Sequence, residues 1–402
     1  MKKKKLKKIA ILLENLLYGG VTTHLNNLIN DKKFRDFEIT VITNKSNNLI
    51  QDIAKNSKYK NIKIIQFFSL NNFILRHKYQ KIIFHSLRPI LFVISIFQMI
   101  NIFKKNKFDI ILANCGGFGD FRSEISGVFA AKFLKNENIN LLIHHNYTKP
   151  KYWHFFLKII EFFLSKCINK FIFVSNATKK SILHNTNFSK LHPKKITVIH
   201  NGVLIKKVLS KKLFNLNLSP KINKIGMLSR IEEYKGQQDL VEGFSRLNSK
   251  EKIKFRVFFI GTGSKLQEKA LKKKINFYNL GQYIKIYKRM NQDSYSILKN
   301  FDMYFSLTRD FEGFGYSIAE ALYAGVPVVS TNVGGTTEFL NKNNSELIKP
   351  RSIKVITKLL SDFLKNKKKW KKKAVNGRKT IIKKFNSNLM AEKFYKVLIN
   401  DK

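Results

Sequence analysis

The segment EGFG at residues 312–315 carries the residue types best suited to chemistry in this sequence. It follows a predicted strand and precedes a predicted helix at residues 316–324, and glycines at a helix N-terminus let backbone amides approach an anion closely. Glu320 lies eight positions after Glu312, about two helical turns, so we expect both carboxylates on a similar side of that helix. A carboxylate there can accept hydrogen bonds from two vicinal hydroxyls. The pattern predicts a site for a phosphate and a sugar, although a strand, turn and helix with a surface glutamate would also produce it.

Two other segments place cations or glycines where strands are predicted to end. Arg230 and Lys235, in SRIEEYKG, follow a predicted strand at residues 225–228, and two cations in that place suit a diphosphate. Gly19 and Gly20, in LLYGGVTTHL, stand between the first predicted strand and the first predicted helix, where backbone can approach a second anion. Each signal is weak alone, because charged turns are commonly solvated and glycine pairs are common in α/β proteins.

Short β-rich runs alternate with longer helical stretches along the chain, which predicts parallel sheets built from βα units. Seven predicted strands fall in the first half and six in the second. We expect an α/β protein with two doubly wound Rossmann-like domains that face each other across a cleft, where such sheets bind ligands. The predicted divisions are a first domain at residues 1–203, a linker at 204–223, a second domain at 224–385, and a C-terminal helix at 386–402 that packs back toward the first domain.

The composition excludes several classes of protein. The 402 residues are 44% hydrophobic, which is too apolar for a globally disordered chain, and two cysteines cannot form a disulfide framework. This cysteine usage and an opening segment that lacks a signal-peptide pattern lead us to expect a cytoplasmic protein. The net charge of +50 suggests an anionic partner, but most of the basic residues are lysines, and lysines spread over solvated faces explain the charge equally well.

The longest apolar run is PILFVISIFQMINIF at residues 89–103, which is shorter than the roughly 20 residues that a membrane-spanning helix needs. We expect a helix packed on a sheet. The alternative is an interfacial helix that lies on a membrane between Arg88 and the basic residues Lys104, Lys105 and Lys107.

Seven segments, in chain order, resemble the signatures of the family 4 glycosyltransferases, which have the GT-B fold of two Rossmann-like domains. The resemblance covers roughly residues 9–340. Its most specific part is residues 312–338, which resemble a paired-glutamate motif, a Gly-x-Pro-Val-Val strand and a Gly-Gly-x-x-Glu turn. One departure is LTRD at residues 307–310, where many relatives carry Pro-Ser, and it leaves the path of that loop open. The segments are GGVTTHL, HHNYTKP, FIFVSNATKKSI, KITVIHNGV, IGMLSRIEEYKGQQDLVEGF, VFFIGTGSKLQ and LTRDFEGFGYSIAEALYAGVPVVSTNVGGTTEF.

The resemblance implies a role for each matching residue. Arg230 and Lys235 would hold the diphosphate of a nucleotide sugar, and Glu320 would bind the ribose hydroxyls. His145, in HHNY, would lie near the donor sugar, although His144 competes for that register. The implied catalytic set is Glu312, His145, Arg230 and Lys235, and the implied donor-binding set is Gly19, Gly20, Arg230, Lys235, Met290, Gly313, Phe314, Gly315 and Glu320.

The resemblance also implies a reaction. Members retain the anomeric configuration of the transferred sugar and need no divalent metal, so we expect no metal or other cofactor, and no Asp-x-Asp pair occurs in the sequence. The implied partners are a nucleotide sugar, with a UDP-sugar favoured, and a glycan or lipid-linked acceptor of cell-surface polysaccharide or lipopolysaccharide-type synthesis. The first domain would hold that acceptor through the loop CGGFGD at residues 115–120 or the basic, aromatic stretch at residues 76–107.

Three questions stay open on the sequence. An anionic membrane surface is a candidate partner, which would place the enzyme at the inner face of the cell membrane. Another enzyme of the same fold, such as a nucleotide-sugar epimerase or a phosphorylase, is an alternative, because a fold hosts many activities. A basic nucleic-acid-binding protein is the alternative from a different class, although the sequence contains no recognised nucleic-acid module.

Overall fold

The structure is a computed structural model that describes residues 6–14, 19–44, 53, 62–67, 78–119, 122–149, 153–205, 218–288 and 294–399. The chain divides into two compact units. The first unit comprises Met1–Gly202 and Ser387–Lys402, and the second unit comprises Val203–Asn386. Most of the predicted linker, residues 206–217, lies outside the described residues.

The first unit is built on one parallel sheet. Its strands are β1 (Lys7–Leu13), β2 (Phe37–Asn44), β3 (Ile62–Phe67), β4 (Ile110–Cys115), β5 (Ile139–Ile143), β6 (Lys170–Phe173) and β7 (Ile196–Val198), and its helices are α1 (Gly20–Ile29), α2 (Lys78–Asn106), α3 (Ser123–Phe133), α4 (His154–Cys167) and α5 (Asn176–Asn185). The strand order β3-β2-β1-β4-β5-β6-β7 is that of a doubly wound sheet, which confirms the predicted α/β class.

The strands of this sheet are apolar along their length because helices cover a parallel sheet on both faces. In β1 the five residues from Ile9 to Leu13 are all buried. Helices α2, α3 and α4 pack on one face, where Phe92 of α2, Val128 of α3 and Leu164 of α4 belong to the same hydrophobic cluster. The sheet and these helices position the loops that follow β1, β4 and β5 at one edge.

The second unit repeats the arrangement around a parallel sheet of six strands. The strands are β8 (Asn223–Leu228), β9 (Phe255–Ile260), β10 (Ile284–Tyr287), β11 (Met303–Ser306), β12 (Val328–Thr331) and β13 (Glu346–Ile348), and the helices are α6 (Gln237–Ser245), α7 (Ser249–Lys252), α8 (Lys265–Phe277), α9 (Ser294–Leu298), α10 (Tyr316–Tyr323), α11 (Ile353–Lys365) and α12 (Lys367–Lys384). The order β10-β9-β8-β11-β12-β13 places β8 and β11 side by side at the centre, so the loops that follow them leave the same edge of the sheet.

The last helix, α13 (Ser387–Ile399), belongs to the first unit. The ring of Phe394 lies 5.1 Å from the ring of His24 in α1, and the hydroxyl of Tyr395 donates to the Asp36 carboxylate at 3.2 Å. Phe394 and Leu398 are fully buried. Contacts of this kind fix the helix on the first unit through its apolar side.

Helix α2 is longer than the apolar run in the sequence indicates. It runs from Lys78 to Asn106 with Pro89 inside it, and its stretch Ser86–Asn106 is long and apolar enough to cross a membrane by length and composition. The prediction of a segment too short to span was therefore wrong, because the helix includes residues on both sides of the run. The prediction that the run packs on the sheet is confirmed for one side of the helix, where Phe92, Met99 and Phe103 are buried.

Candidate functional site

Arg230 lies at the carboxyl edge of the second unit's sheet, two positions after β8. Its guanidinium donates to the Tyr234 hydroxyl at 2.8 Å and pairs with the Glu232 carboxylate at 2.8 Å. The side-chain amide of Gln237, the first residue of α6, donates to the backbone oxygen of Arg230 at 2.7 Å and so fixes the loop. The guanidinium is thus held at the edge of the sheet while its side chain stays exposed.

Lys235 and Glu312 form an ion pair that joins the loop after β8 to the loop after β11. The distance from Lys235 Nζ to Glu312 Oε2 is 2.8 Å, and both side chains are largely buried. The hydroxyl of Thr308 donates to the same carboxylate oxygen at 3.3 Å. Burial is the largest single influence on the pKa of Lys235 and lowers it, but the charge and hydrogen bond of Glu312 together with Tyr234 outweigh burial, so the pKa ends above its ordinary value. The ammonium therefore keeps its proton at neutral pH.

Three glycines determine the path of the chain around Glu312. Gly315 has a φ of 89°, a left-handed conformation that few residues adopt, and it is the N-cap of α10. Gly334 has a φ of 58°, and a Cβ there would lie 2.1 Å from the backbone oxygen of Glu312. That oxygen accepts a hydrogen bond from the amide of Gly335 at 2.8 Å. The Gly-Gly turn recognised in the sequence thus holds the backbone of Glu312 in place.

The spacing in the sequence suggested that Glu312 and Glu320 lie two turns apart on one helix. The structure does not show this arrangement. Helix α10 begins only at Tyr316, after the left-handed Gly315, so half of the interval is loop. Both carboxylates nonetheless act on the same buried residue, Tyr304 of β11. Burial raises the pKa of Tyr304, and the charges of Glu312 and Glu320 raise it further. The Tyr304 hydroxyl donates to the backbone oxygen of Leu228 at 3.2 Å, which ties β11 to the end of β8, and sequence reasoning missed this residue.

Gly313 and Phe314 complete the motif as buried residues. The Phe314 ring packs against the rings of Phe339 at 5.1 Å and Phe385 at 6.1 Å, so its side chain belongs to the core of the second unit. Only the backbone of Phe314 remains for a ligand contact, which is the contribution that the family resemblance implied.

Arg309, part of the LTRD departure, has a structural role that the sequence did not reveal. Its guanidinium donates to both oxygens of the buried Asp239 carboxylate, at 2.7 and 3.2 Å, and to Glu233 at 3.2 Å. Its backbone amide donates to the oxygen of Tyr234 at 2.7 Å. Arg309 therefore connects the loop that carries Glu312 to the turn that carries Lys235.

In the first unit, Gly19 and Gly20 lie at the start of α1, with Gly19 as its N-cap. The backbone of Gly19 is extended, and no described atom lies within 4 Å of the position that a Cβ would occupy. The described part of the unit therefore leaves open space beside this glycine. The loop after β4 lies next to the start of α1, because a Cβ at Gly116 would be 3.6 Å from Val21.

His144 and His145 follow β5 and have different environments. His144 is buried, its Nε2 is 2.7 Å from Asn114 Oδ1, and its ring lies 4.8 Å from the ring of His24. Burial lowers the pKa of His144, and the nearby His24 and His145 lower it further. His145 is only partly buried and lies against the loop after β4, 3.8 Å from the Cβ position of Gly117. His144 is thus engaged in the core, and His145 is the histidine with access to the edge of the sheet.

A buried carboxyl pair, which sequence reasoning also missed, lies beneath the same edge. The Glu124 carboxylate accepts from the backbone amide of Glu14 at 2.9 Å, and the Glu14 carboxylate accepts from the Ser123 hydroxyl at 2.7 Å. Burial raises the pKa of Glu124 to about 8, with a further increase from Glu14 and an opposing effect of Arg122. Within the described residues, Glu124 Oε2 has no hydrogen-bond partner. Burial therefore favours the protonated form of Glu124 in the folded state.

Two of the predicted positions lie outside the described residues: Met290, and Asp120 at the end of the CGGFGD loop. Over the part of the chain that is described, no three His, Cys, Asp or Glu side chains are grouped so as to hold a metal ion. Of the predicted set, the second unit contains Arg230, Lys235, Glu312, Gly313, Phe314, Gly315 and Glu320, with Lys235 and Glu312 in direct contact, and the first unit contains Gly19, Gly20 and His145.

Comparisons with known proteins assign both units to recognised families. Residues 18–206 match the family described as Glycosyltransferase Family 4, and residues 210–380 match the family described as Glycosyl transferases group 1. Among curated proteins, the chain is 26% identical to the capsular polysaccharide biosynthesis glycosyltransferase CapM of Staphylococcus aureus, over 74% of this chain and 78% of that protein. It is 31% identical to protein CapJ of the same organism, but that match spans only 46% of this chain and 48% of CapJ.

Solved structures give the fold. The crystal structure of Anabaena Alr3699/HepE in complex with UDP and glucose superposes with a TM-score of 0.74 at 16% identity, covering 98% of this chain and all of that one. The similarity confirms the predicted GT-B fold with two Rossmann-like domains.

We predict that Arg309→Ala lowers both the stability of the second unit and the activity, because it leaves the buried Asp239 carboxylate unpaired. The free energy of unfolding should fall by on the order of 2 kcal/mol. The measurement is a double-mutant cycle in denaturant with Asp239→Ala. A coupling energy near zero between the two positions would contradict the assigned role.

We also predict that Glu124 makes the first unit less stable as the pH rises. The folded pKa, about 8, exceeds the ordinary value of 4.5, so the contribution is fully present below pH 4.5 and is lost as the pH approaches 8. Between pH 6.5 and 8, the loss should be on the order of 1–2 kcal/mol, and Glu124→Gln should abolish it. The buried His24, whose pKa burial lowers to about 4, stays neutral in that window.

Hydrogen exchange of peptides from β1 and β4 reports the stability of the first unit. Glu137→Gln is the matched control, because Glu137 is an exposed residue of the same unit. Equal pH slopes for the wild type and Glu124→Gln would refute the assignment.

Proposed function

Because this chain belongs to the glycosyltransferases of family 4 and group 1, we propose that it transfers a sugar from a UDP-sugar to a glycan or lipid-linked acceptor, with retention of anomeric configuration and without a metal ion. The acceptor belongs to cell-surface polysaccharide or lipopolysaccharide-type synthesis. The name of CapM, a capsular polysaccharide glycosyltransferase, supports that pathway class. HepE, whose structure was solved with UDP and glucose, supports UDP as the nucleotide.

The observation that carries the proposal is the Lys235–Glu312 ion pair with Arg230 at the same edge of the sheet. A diphosphate bound there meets two cations and the N-terminus of α10, whose N-cap is the left-handed Gly315. The Glu312 carboxylate, held next to Lys235, is placed to accept hydrogen bonds from sugar hydroxyls. Glu320 is assigned to the ribose hydroxyls.

In the proposed reaction, the bond between the anomeric carbon and the phosphate oxygen breaks toward an oxocarbenium-like state, and the leaving oxygen keeps the electron pair. Arg230 and Lys235 stabilise the diphosphate that forms, so preorganised charge lowers the barrier. The acceptor hydroxyl attacks the anomeric carbon from the face that the diphosphate leaves, and its proton passes to the leaving phosphate oxygen. His145 is assigned to the donor sugar, where its partly exposed ring could contact a sugar hydroxyl.

The remaining elements of the proposal concern location and cofactors. The enzyme acts in the cytoplasm at the inner face of the cell membrane, where lipid-linked acceptors are available. The two cations take the part that a divalent metal plays in other glycosyltransferases, so we expect turnover to survive a chelator. Nucleic acid is not a partner in this proposal.

The donor is tested by thermal shift of the purified protein with UDP, GDP, ADP and CMP and their sugar conjugates. We predict that the UDP compounds alone raise the melting temperature, because a ligand at about 100 times its Kd stabilises the folded state by about 2.7 kcal/mol. The shift should shrink in Glu320→Ala. Stabilisation by another nucleotide would replace UDP in the proposal, and steep salt-dependent binding of DNA or RNA without any nucleotide effect would favour the nucleic-acid alternative.

The leaving-group role is tested with Lys235→Ala. Losing a hydrogen bond to a charged group costs about 1.5–3 kcal/mol, so kcat/KM should fall by roughly 10- to 150-fold. Lys250→Ala, an exposed lysine of α7 in the same unit, is the matched control and should retain activity. Turnover is measured as UDP release with an acceptor present, and NMR of the product gives the anomeric configuration. UDP release independent of acceptor would instead indicate an epimerase or hydrolase.

A further inference from the structure

Helix α4 presents an apolar stripe to solvent. Its buried side consists of Leu157, Ile160 and Leu164. On the opposite side, large apolar residues recur at intervals of one or two helical turns, and Phe155 is 80% exposed. The exposed stripe consists of Phe155, Ile159, Phe162 and Phe163.

Helix α2 presents a second exposed apolar stripe. Only 28% of its most apolar window is buried, although the stretch is apolar enough to cross a membrane. Ile90 is 58% exposed and Phe97 is 63% exposed, and the same side ends in the exposed lysines Lys104 and Lys105. The exposed stripe consists of Leu87, Ile90, Val93, Ile94 and Phe97.

The two stripes belong to helices on the same face of the sheet that both pack against α3. A cavity between the helices is lined by Phe92 of α2 and by Leu157 and Ile160 of α4, with Ile125 of α3 beneath. Phe118 and Gly119, from the loop after β4, line the same cavity. The cavity therefore connects both helices to the loop after β4, which is one of the two segments that the sequence offers for the acceptor.

The charges around these stripes are positive. Lys166 lies 4.2 Å above the Phe162 ring, and Lys158 extends from the same helix. Helix α2 contains no acidic residue over Lys78–Asn106, and Glu161, the acidic residue of α4, is buried and paired with Lys158 at 2.9 Å. Apolar side chains bordered by lysines are complementary to a bilayer with anionic headgroups.

We propose that the outward faces of α2 and α4 form a docking surface for an anionic phospholipid bilayer. The aromatic side chains enter the boundary between headgroups and acyl chains, and the lysines contact the phosphates. The helices lie in the interface and do not span it, because the other sides of both helices are part of the core of the first unit.

A second copy of this chain is a poorer occupant for this surface. Two copies would bring like-charged lysines together, whereas an anionic bilayer neutralises them. The docking surface deepens the proposed function, because a bilayer would present a lipid-linked acceptor beside the loop after β4. The docking surface rests on the proposed function only in one respect, the identity of the acceptor.

The proposal is tested by flotation of the full chain with vesicles of phosphatidylcholine alone and with vesicles containing phosphatidylglycerol, at low and high salt. The wild type should float with the anionic vesicles at low salt. Phe155→Ser/Phe162→Ser/Phe163→Ser should reduce the partition coefficient at least about tenfold, because each phenylalanine loses its apolar burial. Lys166→Glu should reduce it about tenfold through charge.

The matched control is Phe277→Ser in α8. Phe277 is 77% exposed at the end of a lysine-rich helix of the second unit, so it resembles the test residues in exposure and charge but lies on the other unit. It should float like the wild type. Equal losses in Phe277→Ser and the triple variant, equal binding to neutral vesicles, or absence of flotation would each overturn the proposal.

Two further measurements separate this proposal from its competitors. In sedimentation without vesicles, the wild type and the triple variant should show the same state of association. Self-association of the wild type that is lost in the triple variant would mean that the surface is an interface between copies. The thermal shift with UDP-sugars should be the same in the wild type and the triple variant, because the substitutions lie outside the donor site. Flotation without a nucleotide shift would preserve the docking surface and refute the proposed function, and a nucleotide shift without flotation would do the reverse.

Discussion

The ion pair between Lys235 and Glu312 is the interaction on which the candidate site of the second unit depends. The two residues are 77 positions apart, and they meet because β8 and β11 are adjacent parallel strands whose following loops leave one edge of the sheet. Gly236 makes the close approach possible: its φ is 74°, and a Cβ there would lie 2.2 Å from the backbone oxygen of Leu307. Glu312 neutralises the Lys235 ammonium, so a diphosphate that binds there exchanges with or shares a partner already in place.

The fold was largely predictable because parallel strands buried on both faces are short, continuous apolar runs. Such runs differ from helices, in which apolar residues recur every three to four positions. The number of strands in each half was predicted from this pattern, whereas the order of the strands within each sheet became known only from the structure. Helix α2 shows the limit of pattern reasoning. The apolar run in the sequence begins at Pro89, whereas in the structure Pro89 lies inside a helix that begins at Lys78.

Residues of the candidate site could be predicted where they lie within a short motif. They could not be predicted where their role depends on a partner that is distant in the sequence. Glu312 and Lys235 were found from local spacing, since glycines and charges cluster beside them. In the sequence, Arg309 stands out only as part of a departure from the family pattern, because its partner Asp239 is 70 positions away. Glu124 lies 110 positions from Glu14, and nothing in either local sequence shows that the fold buries the two carboxyl groups together.

The chain places its lysines and its few carboxylates in two different ways. Although it has 76 basic and 26 acidic residues, each cation of the second unit's site has a carboxylate beside it: Glu232 beside Arg230, Glu312 beside Lys235, and Asp239 beside Arg309. Such pairing restricts side-chain motion and reduces local charge, so it favours precise positioning over attraction. The exposed faces of α2 and α4 have lysines without exposed carboxylates on the same helices. An unneutralised charge attracts an extended anionic surface without fixing any one contact, which is what adsorption to the proposed bilayer partner requires.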